Sequence, residues 1–134
     1  APPLEPGWVG KLWALTSGQR WILSRRAAPD YWWLTDADIG HAPDTLRRLV
    51  AKAEGERLSQ VSLMVKLWCA SGWERLLIPA FVFFFQKLYP FPRVNRTRDP
   101  MAAAAGGCVL LRADTLAAAG GLEKMRDAII DDCT

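Results

Sequence analysis

Residues 31–56, YWWLTDADIGHAPDTLRRLVAKAEGE, decide the fold class. The run opens on Tyr31, Trp32, Trp33 and Leu34, a near-continuous apolar stretch bounded by Pro29 upstream and by Asp36 and Asp38 downstream. A strand covered on both faces, as in the middle of a parallel sheet, reads this way, whereas a half-exposed strand alternates. Pro43 and Asp44 then precede apolar positions at Leu46, Leu49 and Val50, a helix start, and the helix is expected to end near Gly55. A second strand is expected at residues 60–69, QVSLMVKLWC. Strand, helix and strand at this spacing make a βαβ unit, so the expected class is α/β with a largely parallel sheet.

Working outward, residues 7–26 place apolar side chains at Trp8, Val9, Leu12, Trp13, Leu15, Trp21, Ile22 and Leu23, broadly helical in period, with Ser17 and Gly18 as a break. One helix or two short turns are expected. Residues 76–92, LLIPAFVFFFQKLYPFP, are the most apolar window, but Pro79 interrupts it and Gln86 with Lys87 ends it well short of the roughly 20 residues that a membrane span needs. It is expected to be either a core helix or a segment lying in a membrane interface; Trp73, Lys87, Tyr89 and Arg93 resemble interfacial anchors. After a polar loop, RVNRTRDP, a strand is expected in GCVLLR (107–112), then a helix from Asp114, a stop at Gly120 and Gly121, and a short helix through Met125, Ile129 and Ile130.

The chain has 134 residues and a mass of 14.9 kDa, which fits one domain or a piece of one. It begins APPLEPGW, without an initiator Met, and ends just after an acid pair, so it reads as a piece with both termini truncated. A net charge of +3 is too mild a surplus to indicate nucleic acid, and the Arg25–Arg26 and Arg93–Arg96–Arg98 clusters read first as solvated surface. Three separated cysteines, Cys69, Cys108 and Cys133, indicate neither a disulfide framework nor a zinc knuckle. Seven tryptophans in a 51% hydrophobic chain point to an apolar contact besides its own core.

The acids carry the chemistry. Ligand crevices of doubly wound sheets lie at the carboxyl ends of strands, where Asp36 and Asp38 stand. Mg²⁺ takes one or two carboxylates plus substrate phosphate oxygens, so two carboxylates one residue apart suit a diphosphate-binding device. A second pair, Asp131 and Asp132, closes the chain and offers a base or a further ligand. Two enzyme classes share this pattern. In haloacid-dehalogenase-type phosphatases, DxD supplies nucleophile and acid, and AIIDD suits their second acidic motif; Gly40, however, stands where Thr or Val is usual, and a helical segment precedes the motif.

The other class is the nucleotide-sugar glycosyltransferases. GWVGKLWAL (7–15), DYWWLTDADIGHAPDTLRRLV (30–50), VSLMVKLWCASGWERLLIPAFVFFFQKLYPF (61–91), AAAAGGCVLLRADTL (102–116) and GGLEKMRDAIIDDC (120–133) together resemble the hopene-associated glycosyltransferases of family 2, related in pattern to ceramide glucosyltransferases. The resemblance implies a partial GT-A, Rossmann-like fold over residues 1–134 and inverting transfer of a sugar from a nucleotide-sugar donor, UDP-linked, to a lipid or isoprenoid hydroxyl. It implies that Asp36 and Asp38 bind Mg²⁺ or Mn²⁺ and the donor diphosphate, Asp38 most directly, and that Lys11 approaches the nucleotide. Gly106, Gly107 and Cys108 would line the acceptor side, with Asp132 as general base and Asp131 as its support. It also implies a place on the cytoplasmic face of a bacterial inner membrane, with a nucleotide-sugar, a lipid and the membrane surface as partners and no nucleic acid. The upstream nucleotide-binding strand and the downstream QxxRW segment of the family pattern are not in the chain. A non-catalytic membrane-binding role stands as a third reading.

Overall fold

A computed structural model describes residues 2–96 and 98–126. The Asp131–Asp132 pair, Cys133 and the end of the last expected helix, with Ile129 and Ile130, lie outside the described residues. In chain order the elements are α1 (Gly10–Leu23), β1 (Tyr31–Thr35), α2 (Thr45–Glu56), β2 (Gln60–Ser62), α3 (Gly72–Leu88), α4 (Phe91–Val94), β3 (Cys108–Arg112), α5 (Ala113–Ala118) and a 3₁₀ turn at Leu122–Met125.

The three strands form one sheet in the order β1-β3-β2, with β3 antiparallel to both neighbours. Thr35 pairs with Cys108 and Tyr31 with Arg112 on one side, and Val61 pairs with Leu110 on the other. Two strands each antiparallel to the same neighbour run in the same direction. The β1-α2-β2 crossover therefore delivers two co-directional strands, but they do not pair, because β3 fills the space between them. The expected parallel ladder is thus corrected: every ladder among the described residues is antiparallel, and the class is mixed α/β.

Strand β3 is central and apolar on both faces, with Cys108, Val109 and Leu110 all buried. Cys108 and Leu110 share one face, as period-2 geometry requires, and pack with Val61 against Leu49 and Ala53 of α2. Those two helix positions are four residues apart and so lie on one face; Leu46, on the same face in the first turn, is exposed. Helix α2 stops at Arg57, which takes the left-handed conformation (φ 54°) and lets Leu58 N–H reach the Ala53 carbonyl at 2.8 Å. Gly55 stays inside the helix.

A second buried group, Leu12, Trp13, Leu116 and Leu122, belongs to α1, α5 and the 3₁₀ turn. The Val9 N–H donates to the Arg126 carbonyl at 2.9 Å, and Arg20 reaches Glu123 at 2.6 Å, tying α1 to that turn. Helix α1 runs unbroken through Ser17 and Gly18, and Thr16 just before them is buried. Helix α5 ends as expected: Gly120 and Gly121 adopt positive φ (98° and 70°), and Gly121 N–H donates to the Leu116 carbonyl at 2.9 Å.

Two expectations for residues 60–92 are revised. Strand β2 is three residues long, not ten, since beyond Ser62 only Leu63 N–H still bonds to β3, at the Cys108 carbonyl. Helix α3 runs through Pro79, and none of its residues is buried against the other described residues. A capping box starts it: Glu74 N–H donates to Ser71 Oγ at 3.2 Å, and the Glu74 carboxylate accepts from Ser71 N–H at 2.7 Å. No helix among the described residues is long and apolar enough to cross a membrane.

Candidate active site at the end of strand β1

The site is built where β1 runs out beside the start of β3. Past Thr35, the Asp36 N–H donates to the Gly107 carbonyl at 3.2 Å, carrying the ladder one residue beyond the paired strands. The chain then turns: Ile39 N–H points back to the Asp36 carbonyl at 3.4 Å. His41 closes the turn, with Nε2 at 2.7 Å from Thr35 Oγ1 and its ring 4.6 Å from that of Trp33. Residues 36–41 are thereby folded back on the strand that precedes them. The sequence reading gives His41 no such role; its only signal is a six-residue spacing from a strand-end threonine.

Lys11, in the first turn of α1, brings Nζ to 3.6 Å from Asp36 Oδ1, with both side chains nearly half exposed at 43% and 44%. An exposed pair at this length is worth about 0–1 kcal/mol, so it can be exchanged at little cost for an anion on Lys11 and a cation on Asp36. Asp38 is exposed at the outer side of the turn. Gly107 packs tightly: a Cβ there would lie 2.9 Å from Ile39 Cδ1, 3.1 Å from Val65 Cγ2 and 3.6 Å from Asp36 Oδ2. A residue without a side chain lets β3 start this close to the acidic turn without displacing Ile39 or Val65.

The structure therefore brings together Lys11, Asp36 and Gly107, which come from three separate stretches of sequence. Cys108 is placed otherwise. Its side chain is 2% exposed, within the cluster under α2, and its sulfur accepts from the Trp33 indole N–H at 3.4 Å. Of the expected acceptor-side residues, then, Gly107 faces the acidic turn and Cys108 faces the core. The basic cluster that starts in α4 is partly committed as well, since Arg93 forks onto Asp99 with two 3.0 Å bonds, and Met101 N–H donates to the same carboxylate. These bonds hold the Asp99 carboxyl below its ordinary range, the Arg93 bonds most strongly.

Among the described residues no group of three or more His, Cys, Asp or Glu side chains converges on a point suited to a metal ion. Two carboxylates on one turn, one of them exposed, make an incomplete donor set. That set suits Mg²⁺ or Mn²⁺ sharing the oxygens of a bound phosphate rather than a metal caged by protein alone.

Comparison with curated proteins and with solved structures returned no match. The family model of glycosyl transferase family 21 matches residues 21–134, a span that covers β1, the acidic turn, the α2 crossover, α3, β3 and the closing acid pair. The ceramide glucosyltransferase-like pattern read from the sequence takes precedence over the phosphatase alternative, and the chain belongs to glycosyl transferase family 21.

Proposed function

We propose that the chain forms part of a GT-A-type, metal-dependent, inverting glycosyltransferase that moves a sugar from a UDP-sugar to a hydroxyl on a lipid of hopanoid or related isoprenoid type, at the cytoplasmic face of a bacterial inner membrane. The observation that carries this reading is the position of Asp36. Its backbone is bonded to Gly107 on the acceptor side, and its carboxylate stands 3.6 Å from Lys11 on the donor side.

In this reading Asp38, and Asp36 beside it, hold Mg²⁺ or Mn²⁺ together with the donor diphosphate. The ion, when bound, supplies charge neutralisation for the departing diphosphate. Lys11 gives up its weak pair with Asp36 and offers its ammonium to a phosphate oxygen. Gly107, lacking a side chain, lets the start of β3 pack against the turn and so holds Asp36 in place beside the incoming acceptor. Asp132 takes the proton of that hydroxyl as its oxygen bonds to the anomeric carbon and the bond from that carbon to the diphosphate oxygen breaks, a single displacement with inversion. Asp131 orients its neighbour.

Family membership supports glycosyl transfer, a nucleotide-sugar donor and an acceptor. The bare apolar face of α3 supports a lipid acceptor at a membrane surface. Asp132→Asn tests the assignment of the base. It is expected to leave UDP binding intact and to remove transfer, and near-normal turnover would rule Asp132 out as base.

A further inference from the structure

Two adjoining cavities lie beside α3. The larger, about 450 Å³, runs between α3 and residues 64–67, and the smaller, about 160 Å³, lies between the end of α3, α4 and residues 103–105. Both are open grooves, and Met64 and Phe91 line both, so they adjoin as a mainly apolar track along α3. The larger falls within the range of pockets that bind small molecules, about 300–1,000 Å³.

The wall of the track reaches the acidic turn. Val65, in the wall of the larger cavity, stands 3.1 Å from where a Gly107 Cβ would lie, and Gly107 is in turn bonded to Asp36. Ala105, in the wall of the smaller cavity and two residues before Gly107, donates its N–H to Ser62 Oγ at 3.2 Å.

The other end opens beside the unburied side chains of α3. Trp73 is 74% exposed, and Leu76, Phe81, Phe83 and Phe84 are each more than half exposed. A helix apolar on all sides belongs inside a protein or against lipid. Charge decides between these. Residues 64–99 carry six Lys or Arg and only two acids, Glu74 and Asp99, a surplus larger than the +3 of the whole chain. Both acids are already engaged, Glu74 in the helix cap and Asp99 by Arg93. Such a surface suits the anionic headgroups of a bilayer.

We infer that the track between α3 and residues 64–67 holds the hydrocarbon chain of the acceptor, drawn from the bilayer on which α3 lies, and so delivers its hydroxyl to the turn that carries Asp36. This rests on the lipid-acceptor reading above. The test uses vesicles of phosphatidylglycerol and phosphatidylcholine containing a hexadecanol that bears a diazirine in its chain, irradiated with the protein and mapped by peptide mass spectrometry. Label is expected on residues 64–67 and, on the facing helix, on Ile78, Val82 and Phe83, suppressed by unlabelled hexadecanol.

Val82→Trp places an indole in the track. It is expected to lower that label by at least about tenfold, the equivalent of two displaced methylenes, while co-sedimentation with vesicles persists. Val82→Leu, with an unchanged melting temperature, keeps the label and separates blockage from misfolding. Uncompeted label spread over Trp73, Leu76 and Phe84, label unchanged in Val82→Trp, or protection of α3 in a dimer without vesicles would each overturn the assignment. UDP calorimetry on the same protein separates the two ideas. UDP binding without competed label sinks the track alone, and competed label without UDP binding sinks the transferase reading alone.

Discussion

Gly107→Ala probes the closest approach in the site. The added methyl would sit 2.9 Å from Ile39 Cδ1 and 3.1 Å from Val65 Cγ2, both nearer than side chains normally come. Ile39 Cδ1 is the far end of a flexible chain and can swing away; Val65 is branched at Cβ and stiffer. The expected cost therefore lies toward the lower part of the overpacking range, about 1–2 kcal/mol, which lowers the melting temperature of a domain this size by roughly 4–8 °C. The methyl would lie 3.6 Å from Asp36 Oδ2, an ordinary contact, so the carboxylate is not pushed directly. Any shift of the Gly107 peptide instead moves the carbonyl that accepts the Asp36 N–H, and UDP affinity is expected to weaken several-fold.

Ile39→Val removes the nearest clashing atom. Added to Gly107→Ala, it should restore at least about 0.5 kcal/mol relative to the sum of the single changes. Urea unfolding followed by tryptophan fluorescence on the two single variants and the double variant measures that coupling. Gly55→Ala, in open space within α2, is the control and should stabilise by about 0.5–1 kcal/mol. A Gly107→Ala protein as stable as wild type, or a strictly additive double variant, would refute the packing argument.

Further outcomes follow from the core and from α3. Leu110→Ala, at the centre of the sheet and 1% exposed, should cost about 3 kcal/mol in urea unfolding. Ser71→Ala removes the α3 cap and should cost about 1 kcal/mol. The Glu74 carboxyl is held below its ordinary value of 4.5, chiefly by the Ser71 backbone N–H and then by the Ser71 hydroxyl. A depressed folded pKa contributes stability that is complete above the unfolded value and lost as the pH falls through the folded one. The destabilisation by Glu74→Gln should therefore be full at pH 7 and narrow as the pH drops below about 4.5, as read by melting curves across that range.

What the sequence disclosed depended on whether a local signal existed. The apolar run at Tyr31–Leu34 marked β1 as a strand but misplaced it, since it stands at the sheet edge, only partly buried, and not in the covered middle; Gly120–Gly121 marked a helix stop because positive φ favours glycine. The insertion of β3 between β1 and β2 left no such trace: pairing partners some fifty or more residues apart are chosen by tertiary packing, and the run VLL suits a central strand of either direction. Residues 63–69 read as strand from their composition, but β3 ends its pairing with that edge near Cys108, leaving Met64 and Val65 to line the apolar track instead. Pro79 was read as an interruption because it removes a helical hydrogen bond, yet sixteen other residues and a full capping box sustain α3 across it. At the site, the DxD spacing revealed Asp36 and Asp38, whereas the contacts of Asp36 with Lys11 and Gly107 exist only after α1 and β3 converge on the strand end.

Calorimetric titration of UDP in Mn²⁺, with and without chelator, for wild type and Asp38→Ala, bears most directly on the role of the acidic turn. Wild-type binding should require the cation, and Asp38→Ala should lose that cation-dependent binding while keeping its melting temperature, since Asp38 is exposed on the turn. Equal UDP affinity in the two proteins, or binding indifferent to the chelator, would contradict a metal-held sugar diphosphate at Asp36 and Asp38.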